Sequence, residues 1–272
     1  MRKNYLAYPY IIWLFIFIFI PLFLVLFYSF TAKDGSMLTL DNYQRFFDPI
    51  YVQVFVKSVK LSLISTIICL FVGYPMAWII SNMKEEKRNF WVLLFVIPMW
   101  MNFLLRTYAW MTILENTGLI NTLLQRMGFA PLNLIYNSSA VVLGMVYNFL
   151  PFMVFPIYSV LVKIDKNLLE AAEDLGANKK SVFTKVIFPL SLPGVISGAI
   201  MTFMPAVSTF AISRLLGGGK VTLIGNLIEQ QFLLVNDWYF GSALSIIMMS
   251  FILIFVYILR KVEKEDDERS IF

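Results

Sequence analysis

The sequence has no histidine and a single cysteine, Cys69. No disulfide can close within the chain, and a single cysteine without histidines is too few ligands for a Cys/His metal centre. The usual near-neutral general base is missing as well. Cys69 lies inside an apolar run, where a thiol behaves as a small hydrophobe rather than a redox group. Charge is scarce: 14% of residues are charged, against about 25% in a soluble domain. No Asp or Glu falls in the middle of any long apolar run. A proton-coupled transporter ordinarily keeps such an acid at membrane depth, so this class is disfavoured; sodium coupling through carbonyls and hydroxyls survives the test.

What fills the chain is apolar. Of 272 residues, 59% are hydrophobic, which places the chain among integral membrane proteins. A net charge of +5 would suggest nucleic acid in a soluble protein. Here the placement of the charges accounts for the excess, and no nucleic-acid partner is expected.

A membrane span needs about 20 mostly apolar residues. Residues 4–32, 61–83, 127–162, 186–213 and 238–259 carry no charge, and 89–114 carries only Arg106. The expectation is an all-α integral membrane protein with a single domain, 1–272, and six transmembrane helices near 11–30, 60–81, 90–112, 139–161, 193–213 and 240–259. The first run exceeds a signal-peptide core of about 7–15 residues, and no small-residue cleavage site follows Phe30, so it reads as an uncleaved span.

Lysine and arginine in the loops set orientation. Fourteen of the 22 basic residues fall in the N-terminus (Arg2, Lys3), the loop after span two (Lys84, Lys87, Arg88), the loop after span four (Lys163 to Lys185) and the tail (Arg260 to Arg269). Six spans put all four segments on one side, the cytoplasm, giving N-in and C-in. Outside lie 31–59, 113–138 and 214–239. The first, with LTLDNYQRFFD, and the second, with Leu119, Ile120, Leu123, Leu124 and Met127 near helical spacing, each predict a short surface helix. Gly128 and Pro131 end the second. In the third, Gly217–Gly219 before Lys220 suggests a phosphate loop, but Val221 stands where Ser or Thr is needed, so the segment reads as a turn feeding a re-entrant or interfacial helix.

Pathway candidates are few. Arg106 lies 16 residues into span three, about 24 Å along it. It either snorkels to the outer interface, lines the pathway or pairs with Glu115. The outer side holds six acids and eight bases, so charge alone selects no cationic cargo. Aromatic faces bind ammonium groups at about 0.5–2 kcal/mol each. Trp100, Tyr108, Trp110, Tyr147, Phe149 and Phe152 are candidates, unless they serve only as interfacial belt and packing. Glu115 and Asp237 are the acids at outer span ends.

One polar stretch stands apart, the loop 164–192 between spans four and five. Asp165 can cap a first helix and Gly176 can close it in the left-handed conformation. Leu168, Ala172 and Leu175 then share a face, with Ala171 beside it. Asn178 can start a second helix, with Val182, Phe183, Val186 and Ile187 as its apolar side. Pro189 stops it, and Pro193 falls in the first turn of span five. Small alanines and a leucine knob suit insertion into a partner's groove. Glu170, Glu173 and Asp174 offer charge to that partner or to water. On these residues alone, a helix resting on the membrane surface is equally open.

The loop resembles the EAA loop of type-I ABC importer permeases: E-A-A, three residues, Gly, nine residues, I-x-L-P. Here stand Glu170, Ala171 and Ala172, then Gly176, then Val186, Phe188 and Pro189, with Val for Ile and Phe for Leu. Residues 104–121, 150–177 and 216–245 are similar to the spermidine/putrescine permeases, chiefly the first of their two permease subunits. The resemblance implies coupling helices that dock on an ATPase, through Leu168, Glu170, Ala171, Ala172, Leu175, Gly176, Ala177, Phe183 and Pro189. It further implies a second permease making a heterodimer, two ATP-binding subunits and an extracellular solute-binding protein delivering a polyamine. It places the chain in the bacterial inner membrane as a multi-pass subunit without catalysis. No cofactor is expected in this chain, ATP and Mg²⁺ being bound by the ATPase. The same architecture carrying ferric iron, an anion or another cation is the alternative. A stand-alone secondary transporter and an intramembrane enzyme are the other classes, the latter lacking catalytic residues.

Overall fold

The computed structural model describes residues 8–32 and 38–270, with side chains through Lys261. Arg2, Lys3, Lys33 and Asp34, and the side chains of Lys264 and Arg269, lie outside the described residues.

The described chain is helical, with an isolated bridge between Thr31 and Leu38. In order, the helices are α1 (Tyr8–Ser29), α2 (Asp41–Phe46), α3 (Pro49–Ser81), α4 (Glu85–Trp100), α5 (Phe103–Leu114), α6 (Leu119–Arg126), α7 (Ser138–Leu161), α8 (Lys166–Asp174), α9 (Lys179–Ser208), α10 (Ala211–Gly217), α11 (Ile224–Leu233) and α12 (Trp238–Ser270). Among the described residues, α1, α3, α7, α9 and α12 are long and apolar enough to cross a membrane. A sixth span exists if α4 and the helices after it count as one, bent by 91°.

That bend replaces the continuous helix expected over 90–112. Pro98 removes one amide from the last turn of α4, and Met101 is extended (φ −72°, ψ 145°). Asn102 then restarts the chain as an N-cap, its Oδ1 accepting from the amides of Leu104 (2.8 Å) and Leu105 (3.4 Å). Asn137 caps α7 in the same way, accepting from Ala140 at 2.8 Å. Helix α9 also ends earlier than its apolar run: Thr209 is extended, and α10 begins after it.

The core is built by α3, α7 and α9. One half joins Leu61, Met145, Phe149, Ile212 and Leu216. The other joins Cys69, Tyr74, Met153, Ile157, Ile187 and Val195. Helices α7 and α9 approach closely because of Gly194 and Gly198. A Cβ on Gly194 would sit 2.9 Å from the Pro156 carbonyl oxygen, and one on Gly198 would sit 2.9 Å from the Met153 sulfur. Small residues four apart are the usual means of bringing two membrane helices together. At the other extreme, the only buried residue of α1 is Ser29, and α1 packs chiefly on α12.

At one end of the bundle α2, α11 and α12 meet around Phe46, Ile224, Leu227, Phe240 and Leu244. Here α11 tucks back under the end of α9: a Cβ on Gly225 would collide with the Ser208 carbonyl oxygen at 2.5 Å. The opposite end carries the polar segment between α7 and α9.

Candidate functional site

The polar segment is a pair of helices joined by a tight corner. Asp165 caps α8, its Oδ1 accepting from the Asn167 amide at 2.9 Å. At the other end the Ala177 amide donates to the Ala172 carbonyl (3.1 Å) and the Gly176 amide donates to the Glu173 carbonyl (2.9 Å). This pair of bonds is the Schellman closure, and it places Gly176 at φ +84°. Asn178 caps the next helix, accepting from Ser181 at 2.9 Å.

The structure revises three expectations in this segment. First, Pro189 does not stop the second helix. Residues 183–187 form a π-turn, in which the Phe188 amide bonds to the Phe183 carbonyl, and α9 continues through Pro189 to Ser208. The wide turn absorbs the proline, whose ring would otherwise crowd the carbonyl four residues back. Second, Pro193 is well inside this continuous helix, not in its first turn. Third, Ala172, on the edge of the face it shares with Leu168 and Leu175, is half-buried rather than outward. It packs inward with Leu169 against the core around Leu161, Val182 and Ile187. The outward face carries Leu168 (53% exposed), Ala171 and Leu175 (89% exposed), with Glu170, Glu173 and Asp174 also exposed. Leu169 was missed from the sequence; its spacing of three from Ala172 was the available signal.

Phe183 faces the bundle. Its ring lies 4.6 Å from Trp78 and 5.9 Å from Tyr74, both on α3. Tyr74 and Ser191 hydroxyls are 2.8 Å apart, and Ser191 in turn donates to the Phe188 carbonyl at 2.9 Å. This aromatic and hydroxyl patch ties the start of α9 to α3. Ala177 is half-buried against the same core, while Gly176 and Pro189 are exposed.

The pathway candidates separate into a cluster and scattered members. Arg106, Trp110 and Tyr147 come together: Trp110 stands edge-on to Tyr147 at 5.4 Å, and the Arg106 guanidinium carbon lies 6.0 Å from the Tyr147 centroid. Arg106 is buried rather than snorkelling, with its Nε lacking a hydrogen-bond partner, and it makes no ion pair with Glu115 among the described residues. Glu115 caps the end of α5, where its backbone carbonyl accepts from Gly118 (2.8 Å) and Asn121 (3.2 Å). Trp100 sits at the bend, 78% exposed, and Tyr108 is on the exposed face of α5. Phe152 lies at a tilt to buried Phe149, ring centroids 6.5 Å apart.

Asp237 is not open to cargo. Its carboxylate is buried, accepting from the Phe240 amide (3.1 Å) at the start of α12 and from Arg45 Nη1 (2.9 Å). Burial alone would lower the Arg45 pKa, but its hydrogen bonds to Asp237 and Tyr51, with their attraction, raise it above the ordinary arginine value. The guanidinium also covers the Phe240 ring at 4.1 Å. Glu229 is likewise engaged, paired with Arg214.

Comparison with known proteins places this arrangement. The family model described as "Binding-protein-dependent transport system inner membrane component" matches residues 2–265. The spermidine/putrescine transport system permease protein PotB of Haemophilus influenzae is 44% identical over 93% of this chain and 94% of its own length. PotB of Escherichia coli K12 is 42% identical over 86% of this chain and 88% of its own. Among solved structures, a bacterial ABC transporter importing the acidic polysaccharide alginate superposes with a TM-score of 0.82 at 16% identity, over 97% of this chain and 96% of that one, a likeness of fold. With a match along almost its whole length, and a helical bundle of the same build, the chain belongs to the binding-protein-dependent transport system inner membrane component family.

Proposed function

We propose that this chain is the membrane-spanning permease subunit of an ATP-driven importer of the polyamines spermidine and putrescine, forming half of its translocation pathway. The observation that carries the coupling half of this reading is the unbroken course of α9 from Lys179 to Ser208. The α8 corner is locked to the base of that helix, and α9 is packed on α7 through Gly194 and Gly198. A push on the exposed face of α8 is therefore delivered to the spans without a hinge between. The knob for that push is Leu175, flanked by Leu168, Glu170 and Ala171.

The cargo follows from the names of the relatives, which match over most of their own length. Two ATPase subunits bind ATP and Mg²⁺ and dock on the α8 face; this chain performs no chemistry. A second permease completes the pathway, and an extracellular solute-binding protein delivers polyamine. The subunit sits in the bacterial inner membrane with both termini in the cytoplasm. Arg106 already occupies the Trp110–Tyr147 aromatic corner, and Asp237 is committed to Arg45. Selection for a cation then rests chiefly on the binding protein.

The test is uptake of labelled spermidine and putrescine by the complete importer in vesicles. Uptake should require ATP and the binding protein. A complex that hydrolyses ATP in response to its binding protein yet imports neither polyamine would refute the cargo.

A further inference from the structure

A cavity of about 110 Å³ opens between the ends of α3 and α7 and the base of α8. Its wall holds two cations, Arg88 and Lys166, and no carboxylate. Neither cation makes an ion pair among the described residues. Arg88 Nε is shut off from solvent without an acceptor. The polar neighbours do not relieve it. Ser81 Oγ and Asn82 Nδ2 both donate to the Trp78 carbonyl, at 2.9 Å each, and neither side chain accepts from Arg88. Glu85, Glu86 and Asp165 are close in sequence, yet none lines the cavity. The pocket holds two cations and lacks a carboxylate, so its complement is an anion.

The shape of the donors narrows the anion. A guanidinium offers a planar fork and an ammonium offers a movable point charge, and together they suit a group with several oxygens. The volume exceeds that of a few waters at about 10–15 Å³ each, enough for a tetrahedral oxyanion. The pocket also lies at the very ends of two apolar spans, with Trp78 in its wall. Phospholipid headgroups sit at that height, and basic pockets between helices are where they are held. We propose that this cavity is a phosphate-binding site, taking the phosphodiester of an anionic phospholipid or free phosphate.

Occupancy has a structural consequence. Arg88 belongs to the first turn of α4, and Lys166 is the first residue of α8. A phosphate bridging them ties the α8 corner to the α3–α4 hairpin and restrains the segment that α9 follows. This consequence rests on the coupling reading; the binding itself does not.

The experiment uses the complete importer, delipidated in detergent, with thermal unfolding followed on titration with phosphatidylglycerol, phosphatidylcholine or inorganic phosphate. Phosphatidylglycerol should raise the midpoint and phosphatidylcholine should not. Arg88→Gln and Lys166→Gln should each weaken the response roughly tenfold or more, the loss of one charge-assisted contact, with Arg88→Lys, which keeps the charge but not the fork, falling between Arg88→Gln and wild type. A response to inorganic phosphate in phosphatidylcholine, lost in the same variants, identifies free phosphate as the source. Equal responses of wild type and Arg88→Gln to both anions overturn the site. So does a variant that loses only its hold on the ATPase, since an acidic side chain of that partner would then fill the pocket. If the variants lose anion binding but keep ATP-driven uptake, the site stands and the coupling consequence falls.

Discussion

Two residues at the ends of helices decide how this protein should be tested by substitution. Gly176 has φ +84° and open space where a Cβ would be, so a side chain there meets backbone strain and no clash. The strain of a left-handed residue is about 1–2 kcal/mol and is least for Asn. Gly176→Val should therefore distort the α8 corner and lower ATP-driven uptake severalfold, with Gly176→Asn falling between it and wild type. Membrane insertion should be unchanged in both, as read by the amount of assembled subunit in the membrane. Equal uptake of all three would remove the corner from the coupling route. Asp237 raises the opposite question, because at sequence level it is an acid available for cargo. In the structure it caps α12 and holds Arg45. Asp237→Ala loses the cap, worth about 1 kcal/mol, and leaves Arg45 without its carboxylate. The expected outcome is a lower unfolding temperature with an unchanged KM for spermidine. A KM rise of tenfold or more at unchanged stability would return Asp237 to the pathway. The caps at Asp165 and Asn178 were legible in the sequence because a cap is a local pattern; the pairing of Asp237 with Arg45 was not, because it joins positions 192 residues apart.

At the level of elements, charge-free runs located the apolar segments well and their interruptions poorly. A run of apolar residues says nothing of a bend, and the 91° break between α4 and α5 turns on Pro98 and Asn102, two residues that count as tolerable in a hydropathy reading. The same blindness hid the π-turn at 183–187, since proline read alone means a stop, while proline one turn after a widened helix means continuation. The helix–Gly–helix corner was readable because its caps, glycine and spacing all lie within some 20 residues of each other. What ties that corner to the spans was not, because it depends on glycines of α9 meeting the backbone of α7. Gly194→Val makes the dependence measurable. Its Cβ would lie 2.9 Å from Pro156 O and 3.0 Å from Ile157 Cα, where backbone must give way. Overpacking of this kind costs about 1–3 kcal/mol. The substituted importer should unfold at lower temperature and lose uptake, whereas Ser197→Val, on the exposed side of the same helix, should leave both near wild type. If Gly194→Val keeps full stability and uptake, α9 is not held to α7 as a rigid unit.

For the whole molecule, the remaining question is which way it faces the membrane. The bundle has two distinct ends. One carries α2, α11 and the Arg45–Asp237 and Arg214–Glu229 pairs; the other carries α8, Arg88 and Lys163 to Lys185. We propose that the second end faces the cytoplasm, since fourteen of 22 basic residues cluster in segments joined by even numbers of spans. The chain is well suited to a direct test because its one cysteine, Cys69, is fully buried and will not compete for a thiol reagent. Lys220→Cys and Lys180→Cys each place a thiol at an exposed position, on opposite ends. In intact cells or right-side-out vesicles, a membrane-impermeant maleimide should label Lys220→Cys and spare Lys180→Cys; permeabilisation should then expose the second. The reverse pattern would turn the α8 face away from the cytoplasm, where no ATPase could reach it, and the coupling mechanism would fall with the orientation.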